Sequence, residues 1–556
     1  MPHETKRVLI VGGVAGGASC AARLRRLDET AEIVVFDRGP HVSFANCGLP
    51  YFVGDVITDE RRLVVAPPEL FRDRFNIRVR IRHEVTVIDR VRREIEVRDL
   101  STGTEAREPY DALVLAPGAA PIRPPLPGID LPGVFAVRTI PDSVRIRAWL
   151  DEHRPERALV VGGGFIGLEM AENLARRGLA ITVLEKLAQV MPPLDPEMAH
   201  PVAAHLRSER VRLVLEDGLA GLESAGAGLL VRTESGARLP ADLVILAIGV
   251  RPETGLARSA GLDIGPRGGI LVDAQMRTSD SCIWAAGDAV EVRDVVTGQE
   301  TVLPLAGPAN RQGRVAADAI CGRPTTFRGV QATAVVGVFG LTVASTGATE
   351  KGLARAGIGG FQKIYLHPGH HAGYYPGATP IHLKLMFDAR DGRVLGAQAV
   401  GLEGVEKRID VIATMIQKGG TVRDLAEAEL CYAPQFGAAK DPVNLAGMIA
   451  TNHLDGDLPL AEWDALDGYR VVDVREPEEF TAGHVPGAVS MPLSVVRQRW
   501  SELPSDRPLA VYCQVGQRAY YALRFLRQHG LDARHLSGGY ATYRARGGAP
   551  VEPAGG

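Results

Sequence analysis

Cys47 lies in SFANCGLPY, residues 43–51, beside Asn46 and Gly48. No second cysteine stands near it along the chain, the closest being Cys20. Two neighbouring thiols would cycle as an internal disulfide. A lone redox thiol must pair with something outside the chain, either a small thiol as a mixed disulfide or oxygen as a sulfenic acid. The competing reading is a buried core cysteine, and neighbours Asn46 and Gly48 disfavour the fully apolar environment it needs. Cys513 poses the same question in YCQVGQR, residues 512–518. It follows the apolar run LAVY and precedes a helix expected from about Arg518. Backbone N–H groups around a thiol near a helix N-terminus stabilise a thiolate and could hold a persulfide anion. Gly516 permits the curvature and Arg518 adds positive charge. A buried structural cysteine is again the alternative.

HPGHHAGYYPG, residues 367–377, gathers three histidines and two tyrosines. No carboxylate or cysteine stands at ligand spacing from His367, His370 and His371, so no metal is expected. Tyr374, Tyr375 and Tyr432 could donate protons or hydrogen bonds near a thiol, or simply pack at an interface.

These groups need a frame. RVLIVGGVAGGASCAARLRRL opens the chain as an apolar strand over 7–11, glycines, and a helix over 18–27. EIVVFDR, residues 32–38, is the next strand, closed by Asp37 and Arg38. Gly12 and Gly17 bound a dinucleotide-type turn in which Val14 stands at the usual middle glycine. Asp37 is placed to hold a ribose hydroxyl. The design returns over 158–185, with Gly162, Gly164 and Gly167 unsubstituted and Glu185 closing the second strand. Glu185 would accept from a free ribose diol and repel a 2′-phosphate, a lean toward NADH tempered by Lys186 beside it. Two such units imply two dinucleotides. YDALVLAPGAAP, with Gly118, and TSDSCIWAAGDAV, with Asp288, add strands ending in small-residue turns that can meet cofactor phosphates.

Residues 326–444 carry strand patterns, a DG turn at 391–392, and two helices separated by glycines. A compact α/β unit follows from about 460. The chain has 556 residues, enough for several domains at ~100–200 residues each. Its net charge of −3 provides no global basic field for nucleic acid or acidic lipid. No signal-peptide-like stretch precedes the glycines, and no run approaches the ~20 apolar residues of a membrane span, so a cytoplasmic protein is expected. Six cysteines without a CxxC argue against a disulfide framework or a zinc ribbon.

Together, VGGVAGGASCAARLRRL, SFANCGLPY, the second glycine motif, AAGDAV, HPGHHAGYYPG and CYAPQFGAAKDPVNLAGMIA resemble the coenzyme A-disulfide reductase family of flavin-dependent oxidoreductases. DVREPEEF, GHVPGAVSMP, CQVGQR and LSGGY resemble a rhodanese domain. The resemblance implies an α/β protein with two Rossmann-like domains of glutathione-reductase type, an α+β dimerisation domain and a C-terminal α/β rhodanese domain. The expected boundaries are 1–150 with 270–325 for FAD, 151–269 for NAD(H), 326–444 for dimerisation, 445–459 as a linker helical in its first part, and 460–556 for rhodanese. It implies FAD at Gly12, Gly17, Asp37, Arg38, Gly118 and Asp288, and NAD(H) at Gly162, Gly164, Gly167 and Glu185. Coenzyme A is implied at Arg23, Ser43 and Asn46, with Arg26 a lesser candidate.

Cys47 becomes the redox thiol, Tyr374 and Tyr432 approach it from a dimer partner, and Cys513 with Arg518 handles sulfane sulfur. The implied activity is NADH-dependent reduction of persulfides or polysulfides, with electrons passing through FAD to a Cys47–coenzyme A disulfide. The alternatives are coenzyme A-disulfide reduction with separate sulfur transfer, an NADH oxidase or peroxidase, and a non-enzymatic sulfur carrier or redox sensor. Val14, and LAPG where ATG is usual, are the departures from the pattern.

Overall fold

A computed structural model describes residues 5–226, 228–504 and 506–551. The chain forms two compact units, Met1–Lys186 with Val214–Val330, and Leu187–Leu213 with Gln331–Gly556.

The first unit is built on parallel sheets. One runs in the order Ile283–Ala285, Ala112–Leu115, Arg7–Val11, Glu32–Asp37, Arg78–Ile81. Leu9 faces Val34 on one side and Leu113 on the other, and Leu113 faces Ile283. These central residues are buried, as expected of a parallel sheet covered on both faces. The helix after the first glycines spans Ala15–Leu27 and so starts earlier than periodicity alone suggests. Its first turn is AGG, whose small residues carry no amphipathic signal. A second parallel array runs Ala180–Leu184, Arg157–Val161, Leu243–Leu246, Val134–Phe135.

The second unit contains an antiparallel sheet in the order Ala334–Val338, Leu341–Gly347, Val394–Gly401, Ile381–Asp388, Phe361–Leu366. The expected turn joins two of these strands, with Gly392 at φ +72°. Helix Val405–Lys418 packs Ile409, Ile412 and Ile416 inward. Lys384, in the strand Ile381–Asp388, is fully buried. Its Nζ lies 2.8 Å from Asp195 and 2.6 Å from Glu197, and also contacts Glu350. An uncompensated ammonium there would be prohibitively costly, so these carboxylates hold the segment 187–213 to the sheet.

The segment with linker composition begins inside a packed helix, Pro442–Leu454, capped by Asp441, whose carboxylate accepts from the Val443 N–H. Past it, a parallel sheet runs Leu460–Ala461, Ala533–Leu536, Leu509–Tyr512, Arg470–Asp473, Val489–Ser490. Helix Gln517–Gln528 covers it with Ala519, Ala522, Leu523 and Leu526. Among the described residues, no helix is long and apolar enough to cross a membrane.

Candidate functional site

The two glycine loops share one set of backbone contacts, although Val14 stands where the second has Gly164. Gly12 has φ +94° and Gly162 has φ +107°, a region open to glycine. The Gly12 N–H donates to Phe36 O and the Gly162 N–H to Leu184 O, each at 2.8 Å. A Cβ on Gly12 would overlap Ala116 O, and one on Gly162 would overlap Ala247 O. A Cβ on Gly17 or Gly167 would strike the carbonyl of Gly12 or Gly162 in turn. At Gly164 a Cβ would meet nothing, so the space above it is open. Both acids serve these loops: Asp37 Oδ2 accepts from Gly13 N at 2.9 Å, and Glu185 Oε2 from Gly163 N at 2.7 Å. Burial lifts Asp37 above the usual carboxylate range despite donors from Gly13 and Gly39.

The neighbouring strands also end in left-handed glycines on the same sheet edge, Gly118 and Gly287 in the first sheet and Gly249 in the second. Gly249 was missed from the sequence, although LVLAPG at 113–118 and VILAIG at 244–249 are a visible repeat. This edge is the crevice where open parallel sheets take nucleotides. Asp288 sits there with its carboxyl raised by burial and partly restrained by Arg138. The Gly287 N–H donates to Gln312 Oε1 at 2.7 Å. Arg38 is committed to Glu253, with Nη2 2.5 Å from Oε1 and 2.6 Å from Oε2. Lys186 pairs with Glu234 at 2.8 Å.

Cys47 occupies a short 3-10 turn, Asn46–Gly48, that runs into helix Leu49–Val53. All six cysteines are free thiols, and Cys47 is exposed. Although the residue as a whole is exposed, loss of solvation at its thiol raises the pKa, and the carboxylates of Glu169 and Asp288 raise it further. Glu169 lies on helix Phe165–Arg176 of the second glycine motif, and itself titrates high through burial. Tyr51, one turn after Cys47, donates from Oη to Glu169 Oε1 at 3.3 Å. Neither residue was singled out from the sequence, because 118 positions separate them. Ser43 adopts a left-handed φ of +45°, and its N–H donates to Gly13 O at 2.8 Å. That bond brings the cysteine segment back to the first glycine loop. Asn46 Oδ1 is buried without a hydrogen-bond partner. Arg23 is paired with Asp318, Nη2 to Oδ1 2.7 Å, and Arg26 is exposed.

In the second unit Cys513 lies at the end of the strand Leu509–Tyr512 and is 1% exposed. Its Sγ accepts from the Gly516 N–H at 3.2 Å. Arg518 makes a two-pronged contact with Glu479, at 2.6 and 2.7 Å, which raises the guanidinium's pKa above its ordinary value; the Cys513 sulfur is a lesser partner. Glu479 thus neutralises part of the charge expected at this loop. Tyr374 and Tyr432, 58 residues apart, meet Oη to Oη at 2.7 Å. They are 76% and 48% exposed. Tyr375 instead stands edge-on to His371. His367 bonds through Nδ1 to His382 at 2.7 Å and through Nε2 to Thr542 at 2.8 Å. His370 accepts from the Thr379 N–H at 3.1 Å, and His371 donates to Ala372 O at 3.0 Å.

Paired nucleotide loops, an exposed thiol beside them, and a second thiol in an amide-lined loop define a two-nucleotide thiol redox enzyme. The chain belongs to the pyridine nucleotide-disulphide oxidoreductases, whose model matches residues 6–313. Residues 333–441 match that family's dimerisation domain, and residues 460–546 match the rhodanese-like domain. The coenzyme A disulfide reductase of Staphylococcus haemolyticus is 33% identical over 80% of this chain and 98% of its own. The structure of reduced Bacillus anthracis CoADR-RHD superposes with a TM-score of 0.96 at 46% identity, covering 98% of each chain. That of an NAD-dependent persulfide reductase from A. fulgidus superposes at 0.90 with 37% identity, covering 97% of this chain and all (100%) of that one.

Proposed function

We propose that the protein is an NADH-dependent, FAD- and coenzyme A-containing reductase of persulfides or polysulfides that releases hydrosulfide. The observation that carries this reading is the pairing in one chain of an exposed, unpartnered Cys47 with Cys513, whose sulfur accepts a backbone N–H. Likeness to the coenzyme A disulfide reductases supports an external thiol as the partner of Cys47. Likeness to the persulfide reductase supports sulfane sulfur as the substrate. The reaction balances as NADH + RSSH giving NAD⁺ + RSH + HS⁻.

The residues present fit these groups. Gly12, Gly17, Asp37, Gly118 and Asp288 line one open sheet edge and would hold FAD, with Arg38 steadied by Glu253 beside it. FAD, when bound, supplies the two-electron relay between nicotinamide and sulfur. Gly162, Gly164, Gly167 and Glu185 would hold NAD(H). The Lys186–Glu234 pair occupies the nearby cation and supports the lean to NADH. The orphaned Asn46 Oδ1 suits an amide donor such as the pantetheine arm carries, and Ser43 shares that segment. Arg23 would exchange Asp318 for a phosphate.

Burial, and then Glu169 and Asp288, penalise a thiolate at Cys47, so a neutral sulfur, as in a mixed disulfide, suits the site better than a free thiolate. The Cys513 thiolate attacks the terminal sulfur of a polysulfide, breaking the adjacent S–S bond, so that a persulfide beside the Gly516 amide forms and a polysulfide shorter by one sulfur leaves. Cys513 would pass that outer sulfur to the thiol of bound coenzyme A and be freed as a thiolate. Cys47, once reduced, would then attack the inner sulfur of the resulting persulfide, forming the Cys47–coenzyme A disulfide and expelling hydrosulfide. The two electrons of NADH would return that disulfide to two thiols. Tyr374 and Tyr432, contributed across a homodimer, hand a proton to the leaving sulfur. The absence of a membrane-length helix among the described residues is compatible with a cytoplasmic enzyme.

The test is turnover of coenzyme A disulfide, coenzyme A persulfide, polysulfide and oxygen by wild type, Cys47→Ser and Cys513→Ser. Cys47→Ser should abolish reduction of every sulfur substrate. Cys513→Ser should slow polysulfide about tenfold or more while sparing coenzyme A disulfide. Equal polysulfide turnover in wild type and Cys513→Ser would remove the relay and leave a coenzyme A disulfide reductase with separate sulfur transfer. Oxygen as the only effective oxidant would overturn the whole reading.

A further inference from the structure

We infer that His535 is a positioning residue for the Cys513 loop, locking Gly516 in the backbone conformation that aims its amide at the sulfur. The inference rests on the reading that Cys513 accepts sulfur as an anion. His535 lies in the strand Ala533–Leu536, beside Val511 of the strand Leu509–Tyr512, which leads into Cys513. It is 4% exposed. Its Nε2 lies 3.0 Å from Gly516 O. A carbonyl only accepts, so Nε2 carries the hydrogen. Nδ1 is then a bare lone pair, and it is buried with no partner. Burial keeps this imidazole neutral, lowering its pKa to about 4.

Gly516 has φ +99° and ψ −27°. Its N–H reaches Cys513 Sγ, while its C=O accepts both His535 and the Tyr520 N–H at 3.0 Å. The sheet therefore grips the peptide that starts helix Gln517–Gln528. A Cβ at 516 would approach the imidazole Cε1 to 3.2 Å, so ring and glycine are in direct contact. Two further carbonyls of the loop are held as well: Cys513 O accepts from Tyr540 N at 2.8 Å, and Gln514 O from Ala541 N at 2.9 Å. Those two clamps are backbone bonds. The third is a side chain, and a left-handed glycine has the most freedom to rotate once released.

The test uses the full-length protein with iodoacetamide as the thiol probe, reading Cys513 alkylation by mass spectrometry across pH. The midpoint reports the sulfur's proton affinity, and the plateau reports access to it. His535→Leu removes the donor, whereas His535→Gln can return one near the Nε2 position. We expect His535→Leu to move the midpoint up by about one pH unit and to slow polysulfide reduction about tenfold. His535→Gln should recover most of both losses, and coenzyme A disulfide turnover should be equal in all three proteins. If His535→Leu does not fold, His535→Asn, whose amide falls short of Gly516 O, replaces it. A midpoint that coincides with wild type overturns the assignment, as does a loss that His535→Gln leaves unrepaired. Should Cys513→Ser leave polysulfide turnover intact, the relay fails while the alkylation midpoint still decides His535.

Discussion

Gly164 and Gly167 stand three positions apart and answer to different demands. A Cβ at Gly167 collides with a backbone carbonyl, whereas one at Gly164 enters open space. Gly167→Ala should therefore lower stability by about 1–3 kcal/mol, seen as a lower Tm. Gly164→Ala should leave Tm unchanged and, if this loop takes NADH as proposed, raise KM for NADH, because the methyl would enter the open space above the loop. A lower Tm in Gly164→Ala would mean that the space serves packing. The thiol of Cys47 makes a second residue-scale prediction. Glu169 is one of the charges that raise its pKa, so Glu169→Gln should shift Cys47 alkylation to lower pH in the reduced enzyme. An unmoved profile would show that desolvation and Asp288 set it without Glu169. Such pairings were closed to sequence reading, since nothing in a linear pattern brings position 47 to 169.

At the scale of elements, helix Leu49–Val53 has five residues, too few to hold itself together in water. Two arginines from later in the chain support its C-terminal end. Arg147 donates to Phe52 O at 2.9 Å, and Arg177 to Val53 O at 3.2 Å. Both pair with Asp55, at 2.7 and 3.0 Å, and Arg147 also stacks 4.3 Å over the Phe52 ring. Cationic groups at a helix C-terminus complement its dipole. Arg147→Ala should cost roughly 1–2 kcal/mol and reduce turnover of coenzyme A disulfide, with Arg147→Lys only a partial substitute. Unchanged turnover in Arg147→Ala would show that the cysteine turn is held elsewhere. Strands were the more legible elements: the runs at 7–11 and 32–38 and the DG turn stand nearly where apolar pattern and turn chemistry put them. The helix over Pro442–Leu454 carries the helical first part of the segment read as linker, and it is packed through Val443, Ala446 and Ala450.

At the scale of the molecule, the second unit holds one buried and two half-buried imidazoles that desolvation puts below their ordinary range: His535 at about 4, His367 at about 3, and His382 lowered likewise. In the unfolded chain each titrates near ~6.5, so between about 4 and 6.5 the unfolded state binds more protons. Stability is therefore complete above about pH 6.5 and is lost as pH falls toward 4. Thermal melts should show Tm falling across that window, and His367→Gln should flatten the slope. A slope unchanged in His367→Gln would place the proton uptake on other groups. The same unit depends on Lys384. Lys384→Met leaves three carboxylates facing one another and should destabilise by about 3–5 kcal/mol, measured by denaturant unfolding.

Local sequence determined the nucleotide loops, the lone thiol and the sulfur loop, because each depends on contiguous residues whose backbone demands are strict. A left-handed turn names its glycine, and a missing second cysteine names the need for an outside partner. The tertiary structure alone decided what surrounds those thiols. Carboxylates beside Cys47, an arginine half-neutralised by Glu479, and an imidazole beneath Gly516 come from distant chain positions. Their effect is set by distance and burial, which no local pattern encodes.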